Sequence, residues 1–98
     1  METQPKQITD AYIESLIHAE YYLQGDNLLP ENSPEHPSLG TLTICILVLK
    51  NGFVVLGTSN CIDPKIYSAS RGRALAFADA RDKIWELEGY ALRSAHST

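Results

Sequence analysis

Residues 41–60 read TLTICILVLK-NG-FVVLGTSN, and CIDP follows at 61–64. Apolar runs flank Asn51-Gly52, and an Asn-Gly pair so placed is the strongest short-range signal for a β-hairpin, because both residues accept positive φ in a two-residue type I′ turn. With only those two residues in the turn, the expected register sets Lys50 against Phe53, Leu49 against Val54, Val48 against Val55, Leu47 against Leu56, Ile46 against Gly57 and Cys45 against Thr58. Paired residues share a face. One face then carries Ile44, Ile46, Val48, Phe53 and Val55, and the other Leu47, Leu49, Val54 and Leu56. Neither is the polar, water-facing side of a half-buried hairpin, so both need cover.

Working outward, the segment before the hairpin supplies one cover. Thr9 or Asp10 is a good N-cap, and Ile8 can staple against Ile13 or its neighbour. Tyr12, Ile13, Leu16, Ile17, Tyr21 and Leu23 approximate helical spacing, which predicts a helix from residue 9 or 10 to 24, ended by Gly25. Residues 26–40, DNLLPENSPEHPSLG, have three prolines and no period, so they predict a long flexible loop. After the hairpin, Asp63-Pro64 ends strand pairing, and a second helix begins between residues 64 and 70 and runs to about Glu88. Its stripe is Ala69, Arg73, Ala76, Phe77, Ala80, Ile84 and Leu87. Trp85 and Tyr90 finish the core, and Gly89 stops or bends the helix. The fold class expected is α+β: N-terminal helix, long loop, β-hairpin and long C-terminal helix, in one domain over 1–98 whose residues 1–8 and 94–98 fray. A two-stranded hairpin is marginal alone, so another subunit is expected to complete or cover the sheet, as a dimer or a trimer of dimers. The alternative is that the long loop folds over the open face.

Composition narrows the function. The net charge of −4 and pI near 5.2 argue against duplex nucleic acid and membrane surfaces as partners, since both need a basic stripe. No apolar run reaches the ~18 residues of a membrane span, and the N-terminus lacks a signal-peptide core, which predicts a cytoplasmic protein. Cys45 and Cys61 fall on different strand faces and read as free thiols. His18 reads as a surface residue, and His36 beside Glu35 and near Glu31 has no second His or Cys at ligand spacing. No metal or cofactor is expected. There is no phosphate-binding Gly loop, nucleophile elbow or paired-Cys motif, so the chain does not read as an enzyme.

The arginines say more. Arg71 and Arg73 flank Gly72 in the first turns of the second helix, with Arg73 on the packing stripe. A guanidinium keeps its charge, so a partly buried Arg73 needs a carboxylate or an anionic ligand beside it. Helix N-termini also attract phosphate. An ion pair with Asp63, Asp79 or Glu88, or snorkelling to solvent, accounts for the same residue without a ligand.

KNGFVVLG, CIDP, the helix carrying Gly72-Arg73, and KIWELEGY at 83–90 together resemble a family of small tailed-phage proteins of unknown function, over roughly residues 9–93. The same layout looks like the first-described class of phage anti-Thoeris proteins. That resemblance implies an oligomeric sponge that is not an enzyme, acting in the cytoplasm of the infected bacterium. It would hold a cyclic ADP-ribose-type immune signal intact between subunits, and in some relatives also cyclic oligonucleotides. Arg73 matches the family's helix arginine. Where many relatives have a second arginine one turn later, this chain has Phe77; either Phe77 stacks on a base, or Arg71 or Arg81 takes over the charge. Phe53 matches the aromatic after the turn and serves either as ligand platform or as core. Asn60 and Asp63 suit ribose hydroxyls or base edges, and turn-capping explains them equally. The other function from a different class is a protein–protein inhibitor of a host enzyme, acting through the apolar face or the 26–40 loop.

Overall fold

The computed structural model describes residues 7–96. The architecture is α+β: α1 (Asp10–Ser15), β1 (Ile17–Gln24), β2 (Leu42–Leu49), β3 (Val54–Asn60) and α2 (Ala69–Ala95), with the strands forming one antiparallel sheet in the order β1-β2-β3. Thr9 caps α1, its Oγ1 accepting from the Tyr12 amide at 3.1 Å. The helix stops after six residues instead of continuing to Gln24. IHAEYYLQ becomes a third strand because its alternating Ala19, Tyr21 and Leu23 fit a pleat as well as a helix, and the bare edge of β2 decides in favour of the pleat. A bulge at His18 separates Ile17, opposite Leu49, from Ala19, opposite Val48.

The hairpin exists, with a register one residue from that expected. Val48 lies opposite Val54, Leu47 opposite Val55 and Cys45 opposite Gly57. The turn holds Lys50, Asn51 and Gly52: the Gly52 amide donates to the Leu49 carbonyl at 2.8 Å, and only Gly52 has positive φ, at 89°. This is a three-residue loop, a turn closed by a left-handed glycine, in place of the two-residue type I′ turn. A shift of one residue sends every β3 side chain to the other face. Thr43, Cys45, Leu47, Leu49, Val55 and Gly57 therefore turn inward, whereas Ile44, Ile46, Val48, Val54 and Leu56 lie on the outer face and Phe53 is exposed.

Helix α2 lies on the inner face along Gly72, Ala76, Ala80 and Ile84. Its close approach depends on Gly57, where a methyl group would collide with the main chain of Ala76 and Ala80. Gly72, not Arg73, occupies the buried place in the first turns, and Arg73 is exposed. Ala69, Leu87 and Tyr90 are exposed as well, so the stripe is narrower than its spacing suggested. The helix passes through Gly89 to Ala95, a glycine in a helix interior costing only about 1 kcal/mol. Ser94 and Ala95 are thus helical, and of the ends expected to fray, residues 1–6 and 97–98 lie outside the described residues. Against α2 sits α1: Trp85 Nε1 donates to Asp10 Oδ1 at 3.1 Å, the Tyr12 hydroxyl donates to Glu88 Oε1 at 2.9 Å, and Arg81 pairs with Glu14 at 3.3 Å.

Two titratable groups share the inner face. Burial, then the nearby Cys45 and Glu20, push the Tyr22 phenol well above its ordinary 10.0, and burial raises the Cys45 thiol directly opposite. Both cysteines are free. Two short 3₁₀ turns, Gly25–Asn27 and Pro37–Thr41, flank and enter the 26–40 segment, the second capped by His36, whose Nδ1 accepts from the Ser38 amide at 3.1 Å. Among the described residues no helix is long and apolar enough to cross a membrane, and no three His, Cys, Asp or Glu side chains gather as a metal site would require.

Candidate functional site

The end of the sheet where β3 stops is the place where polar side chains converge. Asn60 closes β3, and its Oδ1 accepts from Thr41 Oγ1 at 2.9 Å, tying the strand end to the start of β2. Proline at 64 cannot continue the ladder, so the chain turns through 61–64, with Asp63 Oδ1 accepting from the Lys65 amide at 3.0 Å. Ser68 then caps α2 by accepting from the Arg71 amide. Between strand end and helix start lies a groove of about 190 Å³, walled by Ser59, Asn60, Cys61, Tyr67, Ser68, Arg71 and Leu75. The Tyr67 hydroxyl, which donates to Gln24 Oε1 at 2.9 Å and lies 3.4 Å from Thr43 Oγ1, fixes one wall. Gly72 beneath it leaves room for that ring. A second groove of about 380 Å³, lined by Pro37, Ser38, Thr41, Asn60, Cys61, Ile62 and Pro64, lies on the other side of the turn. Ile62, which lines the second groove, is 99% exposed.

The structure brings only part of the expected set together. Arg71 and Asn60 share one groove, and Asp63 sits in the adjoining turn as a backbone cap. Arg73 is two residues beyond Arg71, about 200° around the helix, so the two guanidinium groups diverge within one protomer. Phe53 lies beyond the opposite end of β3, about 23 Å from Asn60 at ~3.3 Å per residue. It is exposed, at the hairpin tip, with its amide donating to Asn51 Oδ1 at 2.9 Å. Phe77 is half-buried beside β1, where it lines a cleft with Glu14, His18 and Glu20 and lies 5.8 Å beneath the Arg81 guanidinium. The residues that sequence reasoning passed over are Tyr67, Ser59 and Ser68. Ser68 carried a visible signal, a serine three residues before Arg71 at a helix start.

A third cavity, of about 580 Å³, lies within the 26–40 segment among Asp26, Asn27, Glu35, His36 and Gly40. Its carboxylates disfavour an anionic ligand there.

The phage protein (N4 Gp49/phage Sf6 gene 66) family model matches residues 8–96. The chain belongs to that family. The match takes in both grooves and the whole sheet, leaving out residues 1–7 and 97–98. No curated protein and no solved structure matches the chain.

Proposed function

We propose that this phage-family protein binds and sequesters a cyclic ADP-ribose-type immune signal without degrading it. The observation that supports this reading is the groove at the sheet end. There Arg71, Asn60 and Ser68 open onto one space beside the Tyr67 ring. A guanidinium offers charge-assisted hydrogen bonds to a pyrophosphate, and the amide and hydroxyl groups suit ribose and base edges. At about 190 Å³ the groove is smaller than the ~300–1,000 Å³ of sites that enclose a ligand of drug size, so a ligand of this class needs a wall from a second subunit. In this reading Arg73, exposed on the other side of α2, and Phe53, exposed at the far tip, would supply such walls to a neighbouring copy.

Calorimetric titration with cyclic ADP-ribose isomers tests this. Charge-assisted arginine contacts contribute about 1.5–3 kcal/mol, and 1.4 kcal/mol is one decade, so Arg71→Ala should weaken binding by roughly tenfold or more. Arg73→Ala should do the same while leaving the melting temperature unchanged, because its side chain is exposed. Heating the complex should release the signal with unchanged mass. Absence of binding by every isomer would end the sponge reading. The exposed apolar sheet face favours one other function, inhibition of a host enzyme by direct contact, and a stoichiometric host protein retained with no nucleotide would support that instead.

A further inference from the structure

The two edges of the sheet are not equivalent. Hydrogen bonds from Leu49 N–H to Phe53 C=O and from Cys61 N–H to Thr41 C=O fix the ladder's phase, so odd-numbered residues of β2 bond β3. The even-numbered residues of β3 therefore point their backbone groups to solvent, and α2 closes the middle of that edge. Asp79 Oδ2 accepts from the Thr58 amide at 2.8 Å, and Lys83 Nζ donates to the Leu56 carbonyl. On the other side, Ala19, Tyr21 and Leu23 bond β2, which turns the backbone groups of Glu20, Tyr22 and Gln24 outward. Among the described residues nothing bonds them. β1 has no proline or lysine, and its bulge is confined to His18, which leaves residues 19–24 as a straight open edge.

We propose that this edge pairs with β1 of a second copy, antiparallel about a twofold axis through Tyr22, to give a continuous six-stranded sheet. The inference does not depend on the ligand proposed above. The outward positions 20, 22 and 24 are symmetric about Tyr22, so this register alone engages all of them on both strands. Tyr22 meets its own copy and Glu20 meets Gln24, each pair exchanging two backbone hydrogen bonds. Glu20 then faces a carboxamide-bearing residue and not another carboxylate. On the outer face the same register sets Tyr21, 55% exposed, beside the partner's Leu23, 36% exposed, so the apolar side chains of β1 cover each other. The pairing also joins two outer apolar faces into one surface, which fits assembly in even numbers of copies.

Light scattering and amide hydrogen exchange test the pairing on the full chain. The parent should have the mass of a dimer or an even multiple at micromolar concentration, with Tyr22 and Gln24 amides exchanging at least about a hundredfold more slowly than free amides. Glu20→Pro removes an outward donor and no backbone hydrogen bond within the protomer, losing only the exposed contact in which Glu20 Oε1 accepts from the Tyr22 hydroxyl at 3.2 Å. It should yield a monomer in which the Tyr21 and Leu23 amides stay protected. If that variant does not fold, Tyr21→Lys, at an exposed position, should lower the mass equally. A monomeric parent, fast exchange at Tyr22 and Gln24 in an assembled species, or a folded Glu20→Pro variant of unchanged mass overturns the proposal. So does association with a different protein only.

Discussion

Replacing Gly57 with alanine strikes the glycine at which an added methyl group has the least room. The added methyl carbon would stand 2.7 Å from Ala80 Cβ and still closer to the Ala76 carbonyl oxygen and the Ala80 amide nitrogen. Carbon atoms rest about 3.5–4.0 Å apart, so helix and strand must separate by about 1 Å, and a gap of that size forfeits a quarter to a half of the dispersion attraction across it. The obstructing atoms are mostly main chain of α2, which no rotamer change can move aside. The same displacement lifts Gly72, Ala76 and Ile84 away from Thr43, Cys45 and Leu47. Overpacking costs typically about 1–3 kcal/mol, and this site belongs at the upper end, about 3 kcal/mol. For a domain of this length each kcal/mol moves Tm by about 4–8 °C, so the expected fall is about 12–24 °C. Thermal and urea unfolding followed by far-UV circular dichroism would read it. Gly89→Ala is the matched control: it is helical, a methyl there meets nothing within 4 Å, and it should stabilise by about 0.5–1 kcal/mol. If Gly57→Ala unfolds within about 1 kcal/mol of the parent, the close helix–strand contact does not hold the fold as argued.

Alkaline unfolding follows from Tyr22 and Cys45. Both groups keep their protons in the folded state after the unfolded chain has lost them, so their contribution is whole below the unfolded values of 10.0 and 9.0 and declines as pH rises beyond them. The urea midpoint should fall from pH 9 upward, and Tyr22→Phe should flatten the part of that fall above pH 10. Asp79→Ala combined with Lys83→Ala uncovers the middle of the β3 edge. It should cost about 1 kcal/mol for the two exposed hydrogen bonds and, more tellingly, produce species heavier than the parent in light scattering over hours. An unchanged mass would mean that these side chains do not guard the edge.

Much of the candidate site was visible one residue at a time. Arg71, Asn60 and Asp63 were marked by their positions at a helix start and a strand end, where capping chemistry and free backbone groups concentrate whatever the rest of the fold does. The meeting of Arg71 with Asn60 in one groove was not visible. It requires the chain to turn at Pro64 with Tyr67 tucked over Gly72, and no local pattern states which wall a turn will face. Arg73 seemed to need an anion because helical spacing put it on the packing stripe. The helix is rotated so that glycine, the smaller neighbour, takes the contact with Thr43 and Tyr67.

From sequence alone came the elements whose causes are local: the hairpin from Asn51-Gly52 between apolar runs, the Thr9 cap, the alanine-rich second helix, and an α+β chain with more apolar sheet than two helices can cover. Only the tertiary structure decided the third strand and the register. IHAEYYLQ satisfies both a helical and a strand period, and the choice fell to the unpaired edge of β2. The register turns on one residue, since a two-residue turn would put Val54 and Leu56 beneath α2 and carry Gly57 to the outer face. Close packing of an alanine-lined helix needs Gly57 beneath it, so the contact between elements far apart in sequence, not the turn, set which side of the strand is buried.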